Sequence, residues 1–283
     1  MQHAIAVALL VLVALSLPVR ADRHDLTLMV TGDDARGWEA VGRLDLGGRG
    51  FCTGALIATD LVLTAAHCLY DRDSGERIDP AEIEFKAGMR GGRALAYRGV
   101  RRAMTPEGYA FVGTGSGAAS AEDVALLELS QPIRSARITP FETVETVVAG
   151  AQVGVVSYAH DRAEAPSLQQ TCDVLGEEKG LLVMGCDVDY GSSGSPVFSF
   201  KDGVARIVSV ISAKAEMEGR SVAIGVALEH PLPGLRTRMA DRPGAFGGLS
   251  TGQVRVVGAG QRTETGARFV RPEIDADIDT GGS

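Results

Sequence analysis

Asp189-Tyr190-Gly191-Ser192-Ser193-Gly194-Ser195-Pro196 sets a serine between glycines, and the apolar run Pro196-Val197-Phe198 follows. Glycines on both sides let the backbone turn sharply and come close to a ligand. A serine on such a turn presents its hydroxyl and its own N–H to one small volume. Acyl transfer needs that combination: a nucleophile, with donors aimed at the oxygen that becomes negative. The competing reading is a Gly/Ser loop between two strands. A stretch far upstream, Leu63-Thr64-Ala65-Ala66-His67-Cys68, favours chemistry. There His67 follows two small residues at the end of an apolar strand, which leaves room around an imidazole.

A histidine used as a base needs a buried carboxylate to orient the ring and stabilise imidazolium. Asp123 is the candidate, because Val124-Ala125-Leu126-Leu127-Glu128-Leu129 follows it and reads as a buried strand. Its backbone enters the core while its side chain stands at the mouth. Asp60, Asp71, Asp73 and Asp79 compete from polar, loop-like surroundings. His3 lies in an apolar leader, His24 and His230 stand near the ends of the domain, and His160 reads as a solvated loop residue.

The 283 residues are 45% hydrophobic with a formal net charge of −8, enough to bury a sizeable core and a balance that argues against nucleic acid as partner. Aromatics are scarce at 5% while glycines number 36, which favours turns over long helices. The arginines clustered between Arg90 and Arg102 read as a solvated loop or edge strand. Residues 4–17 carry no charge, too short a run to span a bilayer, and Val19-Arg20-Ala21 offers a signal-peptidase site. A secretory signal over 1–21 is therefore expected, with a secreted or periplasmic product and no membrane contact after cleavage.

Four cysteines fit an exported protein. Cys52 precedes an apolar run and Cys68 follows one, so a strand turning back on its neighbour brings them together. Cys172 and Cys186 flank the turn-like Gly176-Glu177-Glu178-Lys179-Gly180. The expected pairs are thus Cys52–Cys68 and Cys172–Cys186. Each closes a loop of about fifteen residues, for which chain entropy gives roughly 3 kcal/mol. A zinc site would need a C-x₂-C spacing that is absent, so no metal is expected.

Short apolar runs separated by turn residues, without long helical periodicity, predict an all-β domain. The expected runs are 41–46, 51–57, 61–64, 83–87, 95–100 and 124–129, then 152–157, 168–174, 181–186, 196–200, 204–212 and 221–228. A short helix is expected near Leu232 to Met239, and one further strand near Val254 to Val257. The expected layout is a signal (1–21), an N-terminal arm or pro-segment (22–40), two β units (41–135 and 136–243) and a mobile tail (244–283).

Thr64-Ala65-Ala66-His67-Cys68, Asp123-Val124-Ala125-Leu126-Leu127 and Gly191-Ser192-Ser193-Gly194-Ser195-Pro196 together resemble the trypsin-like (chymotrypsin-fold) serine peptidases. They stand in the order His, Asp, Ser, as in chymotrypsin. The Gly-x-Ser-Gly-Ser-Pro form is most similar to the bacterial branch that includes glutamyl endopeptidases. The resemblance covers roughly Val41 to Leu228. It implies an all-β fold of two six-stranded antiparallel β-barrels with the cleft between them, His67 and Asp123 from the first and Ser193 from the second. It also implies a secreted serine endopeptidase acting on proteins or peptides as a monomer without a cofactor. Ser193 would be the nucleophile, His67 the base and then acid, Asp123 the orienting acid, and the N–H groups of Gly191 and Ser193 the oxyanion hole. Ser195 would be structural.

Two departures from the animal members stand out. Ser192 replaces the Asp that precedes their nucleophile, so their activation switch is unsupported here. Asp187 occupies the place of trypsin's specificity acid, yet Ile211-Ser212-Ala213-Lys214, which resembles the substrate-pairing strand, puts Lys214 where glycine is usual. Ser209 could take the role given to Ser212, and Gly225 would line the far wall. Asp187, Ser212, Lys214 and Gly225 are the expected substrate-binding residues, with no residue preference assigned. The alternatives are a catalytically silent homologue that binds a partner through the same cleft, and an α/β-hydrolase esterase. The esterase reading needs Gly-x-Ser-x-Gly, and position 195 is Ser.

Overall fold

A computed structural model describes residues 26–113, 119–144 and 147–241. The expected signal, the tail from 244 and its strand at 254–257 lie outside the described residues. Twelve of the thirteen strands build two closed systems, β2–β7 and β8–β13, and the short β1 joins the second.

The first system holds β2 (Val41–Leu46), β3 (Phe51–Ala58), β4 (Leu61–Thr64), β5 (Ile83–Ala87), β6 (Ala96–Met104) and β7 (Ala125–Leu129). They close antiparallel in the order β2-β3-β4-β7-β6-β5. Alternation decides the inward face. Leu44 and Leu46 of β2 and Ile83, Phe85 and Ala87 of β5 are buried, while Arg43, Asp45, Glu84 and Lys86 between them are half covered. All five residues of β7 are buried, as its unbroken apolar run demands. Glu128 is accommodated there by Arg101 and by Arg102, whose Nε lies 3.1 Å from its carboxylate. Part of the arginine cluster is therefore structural rather than merely solvated.

The second system holds β8 (Gln152–Ala159), β9 (Arg162–Glu178), β10 (Leu181–Met184), β11 (Pro196–Lys201), β12 (Val204–Met217) and β13 (Arg220–Ala227). Its order is β9-β10-β13-β12-β11-β8, and β8 pairs again with β9 to make a ring. β1 (Leu26–Leu28) adds along β9 beyond the end of β10, and Met29 next to it is buried. The arm thus straps onto the second sheet.

Several strands run further than expected. β9 continues through Glu177 and Glu178, and only Lys179-Gly180 turns, both at positive φ. Asp202-Gly203 and Glu218-Gly219 do the same at the next two hairpins. A two-residue turn with both φ positive matches the twist of its strands and needs no longer loop. Charged strand ends projecting into water look like loop sequence, which is why the ends of β9 and β12 were not expected.

The main core is continuous from the first system into the second, and Phe198 at its centre meets Trp38 at 4.9 Å and Phe141 at 4.7 Å between ring centroids. A smaller core of Val153, Cys172, Leu182, Met184, Val197 and Ile211, among others, fills the second ring. The helix α1 (Pro231–Ala240) buries Leu232, Leu235 and Met239. Cys52–Cys68 and Cys172–Cys186 are disulfide-bonded, as the hairpin argument expected.

Candidate active site

His67 rides on a single turn of 3₁₀ helix, Ala66–Leu69, at the end of β4. The disulfide from Cys68 to Cys52 in β3 anchors that turn to the barrel wall. Asp123 sits in the tight turn before β7, its N–H donating to Ser120 O at 2.9 Å. β4 and β7 are paired neighbours, with Thr64 opposite Ala125, so residues just beyond each end meet. The Asp123 carboxylate grips His67 twice. Oδ1 accepts the His67 backbone N–H at 2.8 Å, and Oδ2 lies 2.7 Å from Nδ1. Both residues are buried, Asp123 to 3% exposure.

A third donor reaches the same carboxylate from the other sheet: Ser212 Oγ of β12 hydrogen-bonds Asp123 Oδ2. Burial on its own would push the Asp123 carboxyl up. The hydrogen bond and charge of His67, then the Ser212 hydroxyl and the His67 N–H, outweigh burial and hold it below the ordinary carboxylate range. An ionised Asp123 accepts at Oδ2, so Nδ1 of the neutral ring carries the proton and Nε2 is left as the acceptor.

Ser193 lies on the loop between β10 and β11 and shares with His67 and Asp123 the wall of a cavity of about 380 Å³. Thr53 of β3 braces this loop. Its N–H donates to Ser193 O (2.8 Å), and its Oγ1 donates to Gly191 O (2.9 Å) while accepting the Tyr158 N–H (3.0 Å). Gly194 has φ +78° and passes so close that a Cβ would fall 2.1 Å from Thr64 Oγ1 and 2.3 Å from Thr53 O. Ser192 is wholly buried. Its N–H donates to Asp189 O at 2.9 Å and its Oγ accepts the Asp189 N–H at 3.3 Å, so it locks the loop locally.

These bonds aim two N–H groups. The Tyr190 carbonyl accepts from His160 N–H (2.7 Å), and the Ser192 carbonyl accepts from Ser195 N–H (3.0 Å). In a trans peptide the N–H points opposite to its carbonyl. The N–H groups of Gly191 and Ser193 are therefore turned away from both bonds, and neither donates to another described residue.

The fold that carries this arrangement matches known proteins. A family model described as a trypsin-like peptidase domain matches residues 52–205, more than half of the chain. The chain belongs to the trypsin-like peptidase family. A glutamyl endopeptidase of Bacillus licheniformis is 29% identical over 152 residues, covering 53% of this chain and 45% of its own. Serine protease 23 of Homo sapiens is 30% identical over 164 residues, covering 52% of this chain and 42% of its own. The chain thus spans under half the length of these relatives. Among solved structures, a Glu endopeptidase in complex with MPD superposes with a TM-score of 0.61 at 19% identity, covering 76% of this chain and 96% of the other. That likeness is one of fold.

Against the family frame, the four expected substrate-binding residues separate. Lys214 lines the cavity, exposed and without an ion-pair partner among the described residues. Ser212 lines it too, but its hydroxyl is committed to Asp123. Asp187 and Gly225 are not on this wall. Asp187 is exposed, its N–H held by Gln169 Oε1 at 2.7 Å, and Gly225 pairs with Ile211 inside the sheet. Ser209 is buried opposite Val197, which leaves the cleft position to Ser212. Sequence reasoning missed Thr53, Arg72 and Tyr109, none of which stands in a motif, and gave no role to Tyr190, which stands beside the serine loop. Tyr109 shares the cavity with Asp123, and burial, then the nearby Asp123 charge, push its phenol up, so it stays neutral. No cluster among the described residues is free to hold a metal, since the one grouping of suitable atoms uses the disulfide cysteines.

Proposed function

We propose that the chain is a serine endopeptidase that cleaves protein or peptide bonds through an acyl-enzyme. The buried His67–Asp123 pair, sharing one cavity wall with Ser193, carries this reading. Ser193 Oγ attacks the scissile carbonyl carbon as its proton passes to His67 Nε2. Asp123 holds Nδ1–H and stabilises the imidazolium. The carbonyl oxygen becomes negative between the N–H groups of Gly191 and Ser193, each such donor lowering the barrier by roughly 3–4 kcal/mol. His67 returns the proton to the leaving nitrogen as the C–N bond breaks. Water then attacks the acyl-enzyme with His67 again as base, and the acid departs from Ser193. Every group in this sequence comes from one chain, so a monomer suffices. Two disulfides and the leader at 1–21 fit secretion or export to a periplasm.

The acyl-side preference stays unassigned. Lys214 would meet an acidic side chain, but Asp189 stands on the same wall and opposes it. A fluorophosphonate probe tests the main reading. Labelling of the wild type and none of Ser193→Ala supports it. An oxidised, folded protein that takes no label is instead the silent, partner-binding homologue.

A further inference from the structure

A second cavity borders His67, walled by Phe51, the Cys52–Cys68 disulfide, Tyr70, Arg72 and Tyr190. Three residues belong to both cavities: His67, Arg72 and Tyr190. The first cavity carries Ser212, Ala213 and Lys214 of β12, the strand beside which the acyl part of a peptide would lie. A chain threaded past Ser193 and His67 therefore enters the second cavity with its leaving-group part. This orientation rests on the peptidase reading above.

Two arginines reach the second cavity, and only one is free. Arg49 is bound to Glu82 and lies 3.3 Å from Asp71 Oδ2. The other Asp71 oxygen accepts the N–H groups of Asp73 and Ser74, so Asp71 is fully engaged. Arg72 is exposed and makes no ion pair among the described residues. Its guanidinium lies over the exposed Tyr190 ring, 5.6 Å from the centroid. A guanidinium resting on an aromatic face keeps its N–H donors directed outward in a plane suited to a carboxylate. We propose that Arg72, held by Tyr190 where the two cavities meet, selects an acidic side chain at the first or second substrate position after the scissile bond.

Binding by the inactive Ser193→Ala form reads this subsite without turnover. Peptides sharing one acyl side and carrying Glu, Gln or Lys at those two positions are titrated by fluorescence anisotropy. The Glu peptide should bind about 3- to 5-fold more tightly than the Gln peptide, the range of an exposed ion pair, and the Lys peptide more weakly than either. Higher salt should shrink the preference. Arg72→Gln should bring the Glu-to-Gln ratio to about one, and Arg72→Lys should keep most of it. Equal binding of Glu and Gln peptides, or a preference that survives Arg72→Gln, overturns the assignment. A protein that shows the Arg72-dependent preference yet takes no fluorophosphonate at Ser193 loses the peptidase reading and the position relative to a scissile bond, and keeps Arg72 as a carboxylate contact in the second cavity.

Discussion

The Thr53 N–H donates to the Ser193 carbonyl at 2.8 Å, so a strand of one barrel holds the serine loop of the other. The Thr53 side chain adds a second brace, bridging Gly191 O and Tyr158 N–H. Thr53→Val keeps the volume and leaves both buried groups unpaired, at about 1–3 kcal/mol each. The expected result is a Tm lower by roughly 4–20 °C in calorimetry. The kcat for a peptide substrate should fall more than KM rises, because the braced carbonyl belongs to Gly191, whose N–H is a proposed oxyanion donor. A variant with wild-type kcat would show that the brace serves stability alone.

Gly194→Ala should be far more damaging. The residue has φ +78°, and the new methyl would meet Thr64 Oγ1 and the Thr53 backbone. Strain and overpacking together come to about 2–6 kcal/mol. Thermal unfolding and fluorophosphonate labelling should both show the loss. Gly219→Ala is the comparison: φ is +75° there too, but nothing lies within 4 Å of the added Cβ, so it should lose less.

Asp123 ties the proposed catalytic pair to acid stability. Its folded pKa lies below the unfolded value, so its contribution is complete above the ordinary carboxylate range and is lost as pH falls through the folded pKa. Below about pH 4 the wild-type Tm should therefore fall more steeply than that of Asp123→Asn. Ser212→Ala removes one donor to the carboxylate, brings its folded pKa nearer the unfolded value and should make that fall shallower. Parallel curves for all three proteins would contradict this account.

Activity has its own pH dependence. If, as proposed, Nε2 of a neutral His67 accepts the Ser193 proton, kcat/KM should climb between about pH 5 and pH 8. Asp123→Asn should lower kcat on the order of 10³- to 10⁴-fold at neutral pH, through the wrong ring tautomer. A flat profile, or a small loss in Asp123→Asn, would remove these two residues from the roles proposed for them.

The two disulfides should differ in what they protect. Loss of either removes roughly 3 kcal/mol by chain entropy. Cys68 adjoins His67 in one helical turn and Cys52 adjoins Thr53, whereas Cys172–Cys186 pins β9 to the segment after β10. With folding of both proteins confirmed by circular dichroism, Cys52→Ala should show the lower kcat/KM and Cys172→Ala should stay nearer wild type. Equal activities would undo the ranking.

The strands with clean alternation or an unbroken apolar run, such as β2, β5 and β7, were legible from their residues, because burial of one face imposes a period that sequence displays. The ends of β9 and β12 were not, since strand that projects into water needs no apolar residues. Of the expected substrate wall, Ser212 and Lys214 line the cavity, Ser212 with its hydroxyl on Asp123, while Gly225 and the exposed Asp187 lie outside that lining.

His67, Asp123 and Ser193, which line one cavity, stand out in sequence because each sits in a short local pattern: small residues beside a ring, an acid before a buried strand, glycines around a hydroxyl. The cysteine pairs were legible for the same reason, since each joins the arms of one hairpin. What only the tertiary structure decided was partnership at a distance. Thr53 bracing Ser193, Ser212 reaching Asp123 and Arg72 lying over Tyr190 join segments with no shared local pattern. Such contacts arise when closed sheets fix the strand ends in space, and a side chain's neighbours there depend on barrel closure and register, not on the residues beside it in the chain.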